Sequence, residues 1–238
     1  MLYLIKMRKL VVFTGAGISA ESGIKTFRDS DGLWEEYNIM DVATPEAWTK
    51  APELVLEFYN KRKAQVKGAV PNLAHNLVAD LEDNFEVRVI TQNIDDLHER
   101  AGSTDVLHLH GIVTQARSSV DENLIYDVGF NDINLGDKCE LGFQLRPHIV
   151  WFGEDVPNMN KAYELVSDAD ILIIIGTSLN VHPAAGLIND APTKSKKYLI
   201  DPNEIRVPDA DNLIMIKEKA TTGMQQLVKE LKASKIKS

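Results

Sequence analysis

The chain has 238 residues, 44% hydrophobic and 26% charged, which is the composition of a globular protein with room for one well-buried core and a small subdomain. A formal net charge of −9, with no long basic stretch, argues against broad nucleic-acid binding through phosphates. One cysteine, Cys139, excludes an internal disulfide and every cysteine-rich zinc site, and fits a reducing compartment.

In chain order, "MLYLIKMRKLVVF" carries no signal-peptide cleavage pattern, and no apolar run reaches membrane-spanning length, so a cytoplasmic protein without a membrane partner is expected. "KLVVFT" (9–14) predicts the first strand. Helical spacing follows at 52–66 and 72–82, with Pro52 and Pro71 near the helix starts, where a missing amide costs little. "VRVITQN" (87–93) and "VLHLHG" (106–111) predict strands. Between Gly111 and Arg146 the pattern dissolves into polar residues, glycines and short apolar pieces, which suggests an inserted subdomain. A helix at 160–168 precedes strands at 171–178, 197–201 and 213–217, the first of them apolar enough to be buried on both faces. A helix at 223–233 and a solvated end, "KASKIKS", complete the chain. Strands alternating with amphipathic segments imply an α/β fold with a parallel sheet covered on both sides.

The pattern Gly15-x-Gly17-x-x-Ala20 after the first strand satisfies the dinucleotide-binding fingerprint in its Ala-ending form. Glycines there let the backbone turn tightly and approach a pyrophosphate, while amides at the start of the next helix face its charge. A plain strand-to-helix turn reads the same way, because the pattern is short and degenerate. An ordinary dinucleotide fold also places an acidic residue about twenty positions on to hold the ribose hydroxyls. Glu35 and Glu36 have that distance but sit in "DGLWEEYN", which is no strand.

Open α/β sheets bind ligands beyond the carboxyl ends of their strands. Four predicted strands end suggestively, in Gly15-Ala16-Gly17, Gln92-Asn93-Ile94-Asp95, His110-Gly111 and Gly176-Thr177-Ser178. Two glycine turns with amides and hydroxyls suit the two ends of a dinucleotide and leave Asn93, Asp95 and His110 for the reactive part. Taken singly, Asn93 and Asp95 also read as turn or N-cap residues and Ser178 as a helix cap. His108 and His110 alternate along one predicted strand and so share a face. A metal there would want further histidine or carboxylate ligands, and the sequence offers no such cluster. The other reading is one packed histidine and one general base titrating near neutral pH, with His110 at the strand end the more exposed.

The segments "GAGISAESGIKTFRDSDGLW" (15–34), "TQNIDDLHERAG" (91–102), "LHLHG" (107–111), "RPHIVWFGE" (146–154) and "GTSLNVHPAA" (176–185) resemble the sirtuins, the NAD-dependent protein-lysine deacylases, and occur in the family order over most of the chain. The resemblance implies a Rossmann-like core over about 1–32, 68–111 and 146–238 and a small domain over about 33–67 and 112–145, with NAD and an acyl-lysine peptide meeting in the cleft between them. NAD would be a consumed co-substrate. In the family reaction the acyl oxygen attacks the ribose carbon as nicotinamide leaves, and the acyl group ends on ADP-ribose. Carried over by motif, His110 would be the general base, and Asn93 and Asp95, flanked by Gln92 and Ile94, would position ribose and the nicotinamide amide. Gly15, Ala16, Gly17 and Ser19 would lie along the pyrophosphate, with Phe27, Arg28, Asp29 and Trp34 in the loop closing over NAD. Gly176, Thr177 and Ser178 would hold the far nucleotide half, with Asp201 and Ala220 near the adenosine. Val150, Trp151, Phe152 and Gly153 would pair with the substrate backbone as an added strand. Protein ADP-ribosyl transfer, slow NAD hydrolysis, or NAD and acyl-lysine sensing without turnover are alternatives on the same scaffold.

The chain departs from the family in its small domain. Sirtuins usually carry two Cys-x-x-Cys pairs around a structural zinc. Here the corresponding positions are Ser118, Asp121, Cys139 and Gly142, so the usual site cannot form and no zinc is expected. Milder departures are Lys25 in place of a common proline, His182 in place of an aromatic and Asp201 in place of glutamate.

Acyl preference rests on "PELVLEFYNKRKAQV" (52–66), where helical spacing puts Val55, Phe58, Tyr59, Arg62 and Val66 on one broad face. An arginine on an apolar stripe can snorkel to water. It can equally wait for a carboxylate that a ligand brings. Tyr59-x-x-Arg62 together with Ala43 resembles the sirtuin subgroup that removes succinyl and malonyl groups, in which the alanine widens the pocket and the Tyr/Arg pair binds the distal carboxylate. The expected partners are therefore acylated lysines of proteins, with desuccinylation and demalonylation alongside deacetylation.

Overall fold

A computed structural model describes residues 7–25, 37–179, 181–205, 207 and 212–235. Six parallel strands form the main sheet: β1 (Lys9–Thr14), β2 (Glu86–Thr91), β3 (Val106–His108), β7 (Ile171–Ile175), β8 (Lys196–Ile200) and β9 (Leu213–Ile216), in the spatial order β3-β2-β1-β7-β8-β9. Alternation sorts their side chains to two cores. Leu10 and Val12, Ile171, Ile173 and Ile175, and Tyr198 and Ile200 face one way. They meet Ala74 and Val78 of the helix at Leu73–Asp80 and Met224, Leu227 and Leu231 of the helix at Ala220–Lys235. Val11 and Phe13, Leu172 and Ile174, and Leu199 face the other way, against Ala162 and Val166 of the helix at Met159–Ser167 and Leu187 of the short helix at Leu187–Asp190. A sheet buried on both faces explains why these strands read as continuous apolar runs.

The insertion is a second sheet of three antiparallel strands, β4 (Gly111–Ser118), β5 (Ile125–Asp127) and β6 (Leu145–Ile149), ordered β5-β4-β6. The helix at Pro52–Gly68, with Pro52 in its first turn, connects it to the rest. Leu56 packs on Ala116 and Ile133, Phe58 and Tyr59 on Ile149 and Trp151, and Val66 on Leu97 and Val113. The turns at 118–121 and 139–142 are tied by hydrogen bonds. Ser118 Oγ accepts from the Val120 and Asp121 N–H groups at 3.3 and 3.4 Å and from Cys139 Sγ at 3.4 Å, while Gly142 N–H donates to the Cys139 carbonyl at 2.8 Å.

Three predicted strands end two or more residues early. The stretch 106–111 is two elements: β3 stops at His108, and the chain turns at Gly111 (φ +80°) into β4. A Cβ on Gly111 would lie 1.9 Å from the His148 carbonyl oxygen, so only glycine lets β6 pass so close. β2 stops at Thr91 because the Asn93 N–H donates to the Thr91 hydroxyl at 3.0 Å and leaves the ladder. β7 stops at Ile175, where Gly176 (φ +62°) turns the backbone. Among the described residues no helix is long and apolar enough to cross a membrane.

Candidate active site

Chain connections from β1 and β7 run to opposite sides of the sheet, so the crevice beyond their carboxyl ends is a topological switch point, the place where such sheets bind ligands. Two glycine turns close on each other there. The Gly15 N–H donates to the Ile175 carbonyl at 3.0 Å and the Gly17 N–H to the Gly176 carbonyl at 2.8 Å. Cβ atoms at Gly17 and Gly176 would each lie 2.5 Å from the other turn's backbone, and one at Gly15 would lie 2.8 Å from Thr177 Cβ. The glycines therefore serve first to pack one turn on the other. The helix that follows is only Gly17–Ala20, so what it offers a ligand is local N–H groups.

Next to these turns the β2 end is pinned from several sides. Asn93 Nδ2 donates to Ser19 Oγ at 3.0 Å, and Ser19 Oγ donates to Asp95 Oδ2 at 2.9 Å. Asp95 Oδ1 accepts the Leu97 N–H at 3.2 Å, so Asp95 serves the turn as well as the site. Burial pushes the Asp95 carboxyl upward, opposed by Ser19, by the Leu97 N–H and by the charge of His108. Gln92 Oε1 accepts from Thr177 Oγ1 at 3.0 Å, which joins the β2 and β7 ends. Beneath them Thr14 Oγ1 meets Thr91 Oγ1 at 2.9 Å and His98 Nε2 at 3.1 Å, and burial holds His98 neutral. Ile94 packs toward Leu97 and Val113 and anchors the loop from below.

His110 Nδ1 lies 3.0 Å from the Gln92 carbonyl oxygen, which can only accept, so the proton sits on Nδ1 and the lone pair on Nε2. Burial lowers the His110 pKa against the pull of that carbonyl, which favours the neutral form a base requires. His108 uses both ring nitrogens, Nδ1 at 3.0 Å from the Asn93 carbonyl oxygen and Nε2 at 2.7 Å from Glu99 Oε1. Sequence reasoning had no signal for that second partner, since Glu99 lies on the short helix Leu97–Arg100 and meets His108 only through the fold.

Ala43 is buried with Phe58, Tyr59, Ile149 and Trp151. Arg62 is 6% exposed, so its guanidinium does not snorkel. Its Nη1 donates to Gln65 Oε1 at 3.2 Å, and burial lowers its pKa against the attraction of Asp95 and Tyr59. Tyr59 is 3% exposed, with its phenol pushed up by burial and its ring 6.5 Å from that of Trp151.

The segment 150–153 has much of its backbone already engaged. The Val150 N–H donates to the His110 carbonyl at 3.0 Å, the Phe152 N–H to the Ala43 carbonyl at 3.0 Å and the Trp151 N–H to Glu154 Oε2 at 2.8 Å. An added strand thus has the Gly153 N–H and the Val150 and Phe152 carbonyls to pair with. Glu154 holds the segment in place, accepting also from Arg146 Nη1 at 2.7 Å, Arg146 Nη2 at 3.1 Å and Arg117 Nη2 at 3.1 Å. The Arg146 guanidinium stacks 3.3 Å over the Trp151 ring. This network was not anticipated from sequence, although Arg146 and Glu154 begin and end the motif "RPHIVWFGE".

Asp201 is buried at the end of β8, with Oδ1 accepting from the Asn203 N–H at 2.8 Å, and Ala220 opens the last helix. Ser178 is half-buried beside Thr177. Phe27, Arg28, Asp29 and Trp34 lie outside the described residues. Among the described residues no group of three or more His, Cys, Asp or Glu side chains is placed to hold a metal ion. A surface groove of about 490 Å³ between the outer face of the helix Pro52–Gly68 and residues 132–135 contains none of the sequence-predicted site residues.

Residues 15–183 match the model of the Sir2 family. An NAD-dependent protein deacylase of Helicobacter pylori is 52% identical over 225 residues, covering 94% of this chain and 98% of that protein. A solved Sir2 homologue in complex with NAD superposes with a TM-score of 0.86 at 39% identity, covering 96% of this chain and 91% of the other. A Sir2 structure holding a deacetylated p53 peptide and 3′-O-acetyl ADP-ribose gives 0.78 at 34% identity, covering 94% of each chain.

Proposed function

The chain belongs to the Sir2 family, and from that premise we propose that it is an NAD-dependent protein-lysine deacylase whose acyl pocket is suited to groups ending in a carboxylate. The residues fit NAD as co-substrate. Two glycine turns pack on each other at the switch point, and Asn93, Ser19 and Asp95 form one hydrogen-bonded chain beside them. Gly15, Ala16, Gly17 and Ser19 would line the pyrophosphate, and Gly176, Thr177 and Ser178 the far nucleotide half, with Asp201 and Ala220 beyond. NAD supplies the ribose carbon that receives the acyl oxygen and the nicotinamide that leaves.

This chain's residues supply position and proton transfer. Asn93, fixed at its N–H, its carbonyl and its Nδ2, keeps Oδ1 for a ribose hydroxyl. His110, with its proton held on Nδ1 by the Gln92 carbonyl, takes a proton at Nε2. Val150 to Gly153 present the remaining backbone groups to the substrate peptide, which fits tolerance of varied sequence around the lysine.

The observation that carries the acyl preference is Arg62, nearly buried on the same helix face as Tyr59, one turn away. The Trp151 ring and the small Ala43 belong to the same cluster as Tyr59. Matched succinyl- and acetyl-lysine peptides, with products identified by mass, test the reading. Truncating one partner of a desolvated charge pair costs on the order of 2–5 kcal/mol, so Arg62→Met should lower kcat/KM for the succinyl peptide by roughly 30-fold or more. Because Arg62 also acts on Asp95, deacetylation should fall too, but less. The ratio is therefore diagnostic, and equal losses on both peptides would make Arg62 structural.

A further inference from the structure

His108 is a largely buried titratable group beside the candidate site that the proposed reaction leaves without a role. Both of its ring nitrogens face acceptors, a backbone carbonyl at Nδ1 and a carboxylate at Nε2. A neutral imidazole has one N–H and satisfies only one of them, whereas an imidazolium satisfies both. We propose that Glu99 and His108 form a charged clamp on Asn93, in which the carboxylate keeps the ring as an imidazolium and Nδ1–H holds the Asn93 carbonyl, making both positioning residues for the reaction. The inference rests on the reading that Asn93 contacts the ribose.

The surroundings agree. The His108 backbone is fixed by Asn158 Nδ2, which donates to its carbonyl at 2.8 Å, and by the neighbouring Leu109 N–H, which donates to the Thr91 carbonyl at 2.9 Å. The groups around the ring are Glu99 and His98 from the helix Leu97–Arg100, Asp95 from the loop after β2, and His148 from β6. Burial works against a charge on His108, but Glu99, the Asn93 carbonyl and Asp95 outweigh it and hold its pKa above the ordinary value. His98 and His148 are pushed the other way, His148 to about 4, so the positive charge of this group of rings resides on His108. Asp95 gains from it, since the His108 charge opposes the upward push of burial on its carboxyl.

Nitrogen-15 spectra of histidine-labelled protein, with the His108 signals assigned by their loss in His108→Gln, read the protonation state without any turnover. Both ring nitrogens should stay protonated to a higher pH than in an ordinary histidine. In Glu99→Ala, one should lose its proton at lower pH than in the wild type. Glu99 is partly exposed, so this variant should melt close to wild type. Its KM for NAD near neutral pH should rise by about tenfold, with kcat lowered less, because the charge assistance of the hydrogen bond on Asn93 is lost while His110 is untouched. The KM defect should narrow toward pH 6, where the imidazolium re-forms; a merely structural defect would not. A wild-type His108 ring that loses its second proton at or below the ordinary histidine pKa of about 6.5 would overturn the charged clamp, and an unchanged KM for NAD would overturn its role. A wild type inactive on every acyl peptide would instead strike the deacylase reading and leave the spectra standing.

Discussion

Replacing Glu154 by glutamine tests whether the segment 150–153, proposed to pair with the substrate, is held by a buried charge network. The carboxylate accepts four hydrogen bonds, three from two guanidiniums and one from the Trp151 N–H. Its side chain is 18% exposed, against 10% for Arg117 and 8% for Arg146. Glutamine keeps the shape but turns an NH2 toward an arginine and leaves two positive charges uncompensated. Breaking a buried pair in this way costs on the order of 3–5 kcal/mol, and the partial exposure of Glu154 puts the expectation near the lower end, about 3 kcal/mol. For a chain of this length that corresponds to a fall of about 6–12 °C in Tm. Burial raises the Glu154 pKa, but Arg146, the Trp151 N–H and Arg117 outweigh it and leave the carboxyl below its ordinary range. A depressed carboxylate contributes stability above its unfolded pKa and loses it as pH falls through the folded value. The Tm difference between wild type and Glu154→Gln should therefore be complete at pH 7 and shrink below about pH 4. Because Glu154 also sets the Trp151 N–H, KM for the acyl peptide should rise while nicotinamide release from NAD is less affected. Thermal melts by circular dichroism across pH, with peptide KM at pH 7.5, give the answer. A variant melting within about 2 °C of wild type at pH 7, or a difference independent of pH, would refute the argument.

His110→Ala should lower deacylation by about 100- to 10,000-fold with the melt and much of the NAD affinity retained, and near wild-type turnover would remove His110 from the chemistry. Because burial lowers the His110 pKa, the acid limb of kcat/KM in the wild type should fall below the ordinary histidine range; a limb above pH 7 would contradict this. Gly176→Ala should be destabilised by roughly 2–4 kcal/mol, since its Cβ meets Gly17 backbone at 2.5 Å from a left-handed conformation, and a melt close to wild type would show that the two turns can separate.

The sequence determined what depends on short-range order. Each apolar run in the main sheet was visible because strands buried on both faces leave no polar alternation, and the helix at Pro52–Gly68 was visible from its spacing and its proline. The motifs pointed to candidate side chains at the strand ends, Asn93, Asp95 and His110 among them. Only the tertiary structure decided how those ends are braced. Strand termination at Thr91 and Ile175 depends on a side-chain hydrogen bond and a left-handed glycine, neither of which changes hydrophobic periodicity. Likewise, whether Arg62 reaches water or stays inside follows from what packs above it, and the helix spacing is the same in both cases. The Glu99–His108 and Glu154–Arg146–Arg117 contacts join residues from different elements, 8 to 37 positions apart. No local pattern encodes such a pair, because its energy exists only once burial has removed the water that would otherwise solvate each charge.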